Sequence, residues 1–168
     1  MKLLYLLLFV LFLSGCGYSV PGQSGSVPAG VEKIFIPLFV NNTSKPLLEN
    51  ELTNRVSEVF SRNIYIEQVN KQEQSEAILK GVIGSYSSRA ISYNSNDDIG
   101  EYRATMTVAV ALIAKDAVEP LWKRNFSWGS TYLAAEDKGL QDDLEHDAID
   151  EISRRLAEEI LHSLLDDF

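Results

Sequence analysis

The chain has 168 residues, of which 45% are hydrophobic and 23% charged, which is typical of one globular domain and excludes disorder, collagen and coiled coil. A formal net charge of −9 argues against a protein that binds nucleic acid through a basic face. A single cysteine excludes an intrachain disulfide, a cysteine-based metal cluster and a Cys–Cys redox pair.

The first segment has the pattern of a secretory signal peptide. A positive start at Lys2 precedes the apolar run Leu3–Leu13, and small residues follow. A transmembrane helix needs about 20 apolar residues, so this run is too short to remain in the membrane as a span. Residues 1–15 are therefore predicted to be removed.

The sequence Leu13-Ser14-Gly15-Cys16 resembles the bacterial lipobox, in which the cysteine thiolate accepts a diacylglyceryl group. The alternative is a plain cleaved signal with an incidental cysteine, but the one cysteine of the chain lies where the motif needs it. We predict lipidation at Cys16, with acyl chains that anchor the protein to a membrane without spanning it. In bacterial lipoproteins, an aspartate directly after this cysteine favours retention in the inner membrane. Gly17 occupies that position here, which points to the outer membrane.

The next segments predict a tether, a strand and a helix. Residues 16–32 are rich in Gly, Ser and Pro and are predicted to be the lipidated N-terminus and tether. The apolar run Lys33–Val40 predicts a strand at an edge or bulge, since Pro37 cannot donate to a ladder. Residues 46–62 predict an amphipathic helix, with one apolar face made of Leu48, Leu52, Val56, Val59 and Phe60.

Four strands are predicted after this helix. Residues 64–69 are a short candidate, and residues 77–93 a long one followed by a hairpin loop over 94–100. Residues 102–115 alternate with a period of two, which predicts a sheet covered on one side. Residues 121–132 carry aromatic side chains on one face that either pack under the helices or form an exposed surface for acyl chains or a partner barrel: Trp122, Phe126, Trp128 and Tyr132.

A long helix closes the chain, from about Asp142 to Asp166, with an apolar stripe at spacings of three and four. Hairpin strands with two helices predict an α+β two-layer sandwich. In it, the two helices pack on one face of a mainly antiparallel sheet of about four strands. Residues 33–168 are expected to form this single domain.

No catalytic pattern is recognisable. His146 and His162 are offset by about 160° on one helix, so they cannot share a metal ion. No nucleophile elbow, zinc-protease motif or phosphate-binding loop occurs, and Asn96-Asp97-Asp98 lacks the ligand series of a calcium site. We expect no enzymatic activity, no cofactor and no metal site.

Charge is distributed unevenly. Residues 136–168 contain 12 acidic and 3 basic side chains, whereas residues 16–135 contain 12 acidic and 11 basic ones. The acidity therefore belongs mainly to the last helix, and the sheet half can receive an anionic ligand despite the acidic total.

Several motifs together resemble one family. The order is Cys16-Gly17-Tyr18, then Pro46-Leu47-Leu48-Glu49 opening the first helix, then the hairpin strand Gly100–Val108, then the acidic terminal helix. This order and spacing is similar to the lipopolysaccharide-assembly lipoprotein family, LptE, over essentially the whole mature chain. The resemblance implies a fold of two helices against a four-stranded sheet.

The resemblance also implies a function. LptE proteins are non-enzymatic partners of the outer-membrane β-barrel LptD; they support its assembly and help deliver lipopolysaccharide to the outer leaflet. Family members bind lipopolysaccharide through basic residues, for which our candidates are Arg103, Lys123, Arg124 and Lys138, the last in the loop before the final helix. The alternative is another outer-membrane lipoprotein that acts as a periplasmic protein-interaction module.

Overall fold

The structure, a computed structural model, describes residues 30–167, so Cys16, the predicted signal peptide and most of the tether lie outside the described residues. In chain order the elements are β1 (Lys33–Phe35), β2 (Val40–Asn41), α1 (Leu48–Ser61), β3 (Glu67–Val69), β4 (Ala77–Tyr93), β5 (Ile99–Ala114), β6 (Pro120–Leu133) and α2 (Lys138–Asp166). A short 3₁₀ turn over Gln72–Gln74 lies between β3 and β4.

The sheet is mixed and six-stranded, with the order β3-β1-β4-β5-β6 and β2 also paired to β4. Strands β4, β5 and β6 are antiparallel, whereas β1 and β2 run parallel to β4, and β3 runs parallel to β1. The prediction of about four mainly antiparallel strands was therefore wrong. The parallel strands are two or three residues long, too short to give a periodic pattern.

The predicted strand Lys33–Val40 was also wrong as a single element. It ends at Phe35 and resumes at Val40, because Pro37 has no N–H to donate to a ladder. In the gap the N–H of Phe39 donates to Thr53 Oγ1 of α1 at 3.0 Å, which satisfies a buried backbone group.

Helix α2 begins earlier than predicted. Asp137 is its N-cap, and the Asp137 side chain accepts from the N–H of Leu140 at 2.8 Å. Lys138 was predicted to lie in the loop before this helix, and that prediction was wrong. It is the first residue of the helix. Within residues 30–167, neither helix combines the length and hydropathy needed to cross a membrane.

Both helices pack on one face of the sheet, as predicted. Met106, Val108 and Val110 are 0–2% exposed and belong to one core cluster with Leu52 of α1 and Ile152 of α2. The aromatic strand divides: Trp122 and Phe126 are in the core, Tyr132 packs against it, and Trp128 is 39% exposed. The opposite face of the sheet carries no described helix, and we call it the open face.

Candidate functional site

Two arginines lie opposite each other on the open face. Arg103 of β5 is paired with Arg89 of β4 and with Thr131 of β6. Directly opposite residues share a face, and Arg103 is out of phase with the buried Met106, so this face is the one away from the helices. We call Arg89 and Arg103 the arginine pair.

The arginine pair is exposed, and neither member forms an ion pair within the described part of the chain. Like charges directly opposite each other destabilise a sheet, so an anion bound at this part of the open face would reduce their repulsion. Gly129 leaves room for Arg103, since a Cβ at Gly129 would lie 3.1 Å from Arg103 Nε. Two exposed arginines without a described carboxylate partner make this position a candidate anion site.

A second basic position lies far along the same face. Lys80 of β4 and Lys123 of β6 both lie opposite Ala111 of β5, and both are exposed. Ala111 is eight residues from Arg103, or about 27 Å along a strand. The predicted residues Arg103 and Lys123 therefore share a face without converging on one small ligand.

The other two predicted residues lie elsewhere. Arg124 is opposite Val110 on the helix-covered face, and its guanidinium pairs with Asp167 Oδ1 at 2.6 Å. The other oxygen of Asp167 accepts from Trp122 Nε1 at 2.6 Å, which joins the end of α2 to β6. Lys138 is exposed at the start of α2, in the helix layer. The structure does not bring Arg124 or Lys138 to the arginine pair.

The arginines of α2 are paired with carboxylates. Arg154 bonds Glu151 and Glu158, each at 2.7 Å, and Arg155 bonds Glu151 at 2.9 Å. The hydrogen bond from Arg154, and then the one from Arg155, hold the pKa of Glu151 below its ordinary value. Their charges are largely compensated, in contrast to those of the arginine pair.

A polar cluster fixes α2 on the sheet. The Tyr86 hydroxyl donates to Glu145 Oε1 at 2.7 Å, and Lys45 Nζ lies 3.0 Å from Glu145 Oε2. Burial, and then the hydrogen bond to Glu145, raise the pKa of Tyr86 well above its ordinary value. Each member has a structural partner, so this cluster is a tie between layers.

The two histidines are exposed, and His162 lies 3.3 Å from Asp166 of its own helix. Among residues 30–167 no group of three His, Cys, Asp or Glu side chains could hold a metal ion. The turn after β4 is organised by Asn94, whose side chain accepts from the N–H groups of Asn96 and Asp98.

Sequence reasoning missed Lys80 as a partner of Lys123. Strict alternation would place Lys80 and Arg89 on opposite faces of β4. The register shifts between Ile83 and Ser85, and the extra residue, Gly84, returns both basic side chains to the open face. A glycine inside a long strand was the one signal that could have indicated this bulge.

A family model described as LptE, lipopolysaccharide-assembly, matches residues 31–164, and the chain belongs to this family. No curated protein matches the chain. The fold is similar to that of an uncharacterised lipoprotein B from Nitrosomonas europaea, with 19% identity and a TM-score of 0.58 over 89% of this chain and 90% of that one. It is also similar to rare lipoprotein B from Shewanella oneidensis, with 19% identity and a TM-score of 0.54 over 75% of this chain and 92% of that one.

Proposed function

We propose that this LptE-family chain is a lipid-anchored protein of the outer membrane that forms a complex with the β-barrel LptD. In this complex it supports assembly of the barrel and delivery of lipopolysaccharide to the outer leaflet, without catalysing a reaction. The family match over residues 31–164 is the observation that carries this proposal. The signal pattern and lipobox of residues 1–16 support an anchor at Cys16.

The arginine pair is the centre of the proposed lipopolysaccharide site. Lipopolysaccharide carries phosphates on a lipid body, so its site needs cations beside apolar surface. Near the arginine pair, exposed apolar side chains follow at the hairpin end of the sheet: Ile91 (48% exposed), Tyr93 (63%) and Leu133 (61%). Lys123 and Lys138 would add cationic charge at a distance, and Arg124 less, because Asp167 compensates it.

The proposed complex is tested by purifying the tagged, full-length chain from outer membranes in mild detergent. We expect a large β-barrel to co-elute in a fixed ratio and to be identified as LptD by mass spectrometry. Recovery of the chain with a soluble periplasmic protein, and with no barrel, would instead support an interaction module of another kind.

The anchor is tested separately by metabolic labelling with a radioactive fatty acid. We expect label on the wild-type chain and none on the Cys16→Ala variant, which should leave the membrane fraction because it lacks acyl chains. A wild-type chain without label would refute the lipid anchor.

A further inference from the structure

Strand β6 is an edge of the sheet. It runs for 14 residues and pairs with β5 on one side. On its other side no strand of residues 30–167 is paired. A free edge of this length presents a row of unpaired backbone donors and acceptors.

The residues that face this free edge follow from the register. The N–H of Ala134 donates to the carbonyl of Gly100 at 3.0 Å, and this pair continues the register Glu101↔Leu133. In an antiparallel ladder hydrogen-bonded pairs alternate with non-bonded ones, so even-numbered residues of β6 bond to β5. The residues that turn their N–H and C=O groups outward are Lys123, Asn125, Ser127, Gly129 and Thr131.

Most of this edge lacks the usual protection against pairing. Natural edge strands are protected by charged side chains, proline or bulges. In β6 these lie at one end, with Pro120, Lys123 and Arg124, whereas Asn125–Leu133 contains no charged residue. An uncharged edge of nine residues is a template for a further strand.

A groove beside the edge indicates the chemistry of that strand. Between β6 and α2 lies a cavity of about 370 Å³, lined by the exposed Trp128 and by Arg155, Glu158, Glu159 and His162. Arg155 lies over the Trp128 ring at 6.0 Å and pairs with Glu151 and Glu158, and Arg154 also bonds Glu158. Glu159 forms no ion pair with any described residue, so it is the uncompensated carboxylate of the groove. A side chain that enters this groove meets the uncompensated carboxylate of Glu159, which favours a cationic group.

We propose that an extended segment of another polypeptide adds to β6 as a new edge strand and directs cationic side chains into the groove beside α2. The free backbone groups select an extended chain, and the carboxylate of Glu159 selects its charge. A second copy of this chain fits less well, because its own α2, which is rich in acidic residues, would bring further negative charge to Glu159. The proposal does not depend on the proposed function, since it requires neither lipopolysaccharide nor a barrel.

The test uses the full-length chain in mild detergent and a nine-residue peptide of alternating lysine and valine. Hydrogen exchange resolved to single amides should show protected amides at Phe126 and Trp128 in the free protein, and fast exchange at Ser127 and Gly129. When the peptide is bound, the amides of Ser127 and Gly129 should exchange at least about tenfold more slowly, because they form new backbone hydrogen bonds.

Ser127→Pro removes an outward donor without removing a bond to β5, and it should weaken peptide binding about tenfold, while Ser127→Ala should not. If Ser127→Pro does not fold, the same peptide with every backbone nitrogen methylated replaces this variant as the test. The methylated peptide should not bind to the wild-type chain. A glutamate–valine peptide should bind more weakly than the lysine–valine peptide.

The proposal would be overturned by equal binding of the methylated peptide, by peptide binding without protection at Ser127 and Gly129, or by no binding of the lysine–valine peptide. Protection of the same amides by raised protein concentration alone would identify a second copy as the occupant, and would also overturn it.

Discussion

The contrast between Arg103 and Arg154 separates a specific anion site from a general charge effect. Arg103 faces Arg89 with no described carboxylate partner, whereas Arg154 bonds Glu151 and Glu158. Arg103→Gln and Arg154→Gln remove the same formal charge. We expect Arg103→Gln to weaken lipopolysaccharide binding about tenfold at low ionic strength, as loss of one charged hydrogen bond does. Titration of the full chain with lipopolysaccharide measures this.

Salt provides a further control, because exposed charges are screened over about 8–10 Å at 0.10–0.15 M ionic strength. The difference in lipopolysaccharide affinity between Arg103→Gln and the wild type should therefore become smaller as salt is added. Equal losses in both variants would show that binding follows net charge alone. An unchanged affinity of Arg103→Gln would remove the arginine pair from the site.

Gly81 is required by the ring of Phe39. A Cβ at Gly81 would lie 2.2 Å from Phe39 Cδ2, and Phe39 is buried at 3% exposure. Gly81→Ala should destabilise the fold by about 1–3 kcal/mol, the usual effect of overpacking. The matched control is Gly84→Ala on the same strand, whose Cβ would meet Thr107 Oγ1 at an ordinary 3.8 Å. Denaturant unfolding that ranks the two variants the other way would contradict this packing.

At the scale of elements, Glu76 joins the start of β1 to the start of β4. Its Oε2 accepts from the N–H of Glu32 at 2.7 Å and from the N–H of Lys33 at 3.1 Å. The bond from Lys33, and then that from Glu32, lower the pKa of Glu76 below its ordinary value of 4.5. The carboxylate form is thus tied to the folded state.

The sign of the pH effect follows from that lowered pKa. The contribution of Glu76 to stability is present above pH 4.5 and is lost as the pH falls below 4.5 through the folded pKa. Glu76→Gln should therefore lower the thermal midpoint at neutral pH, and its difference from the wild type should shrink in acid. Glu73→Gln, on the same loop, is the control. A Glu76→Gln difference that stays constant between about pH 3 and 6 would contradict the assignment.

The elements that could be predicted from the sequence are those long enough to show several periods of alternating apolar and polar residues. Strand β4, the alternating strand β5 and both amphipathic helices were predicted close to their observed bounds. Strands β1, β2 and β3 contain too few residues to show a period, and their parallel pairing depends on contacts made after α1 has returned the chain to the sheet. The start of α2 depended on the Asp137 cap, which the pattern of apolar residues does not reveal.

At the scale of the whole molecule, the predicted family was confirmed. The predicted site residues do not share one face, since Arg103 and Lys123 lie on the open face and Arg124 lies on the helix-covered face. The alternation of β5 and β6 is enough to separate Lys123 from Arg124, because neighbouring residues point to opposite faces. The pairing of Arg89 with Arg103 depends on the bulge at Gly84 and on inter-strand register, both of which arise from tertiary packing. The open β6 edge also becomes visible once the strand order is known.

The two faces of the whole sheet can be tested with neighbouring residues of β5. Val108 is 2% exposed in the core under both helices, whereas Thr107 is half-buried on the open face and its Oγ1 lies 2.6 Å from Ser85 Oγ. Val108→Asp buries an unpaired charge and should destabilise the fold by more than the ~2–5 kcal/mol of a buried aliphatic cut to alanine.

Thr107→Asp carries the same charge one residue away, where its carboxylate meets solvent and can accept from Ser85. It should shift the free energy of unfolding by less than about 1 kcal/mol, as exposed substitutions usually do. Circular dichroism during thermal unfolding of both variants measures the difference. Equal thermal midpoints would mean that the helices do not cover the Val108 face, and the placement of the arginine pair on the open face would be wrong as well, because both follow from the same alternation.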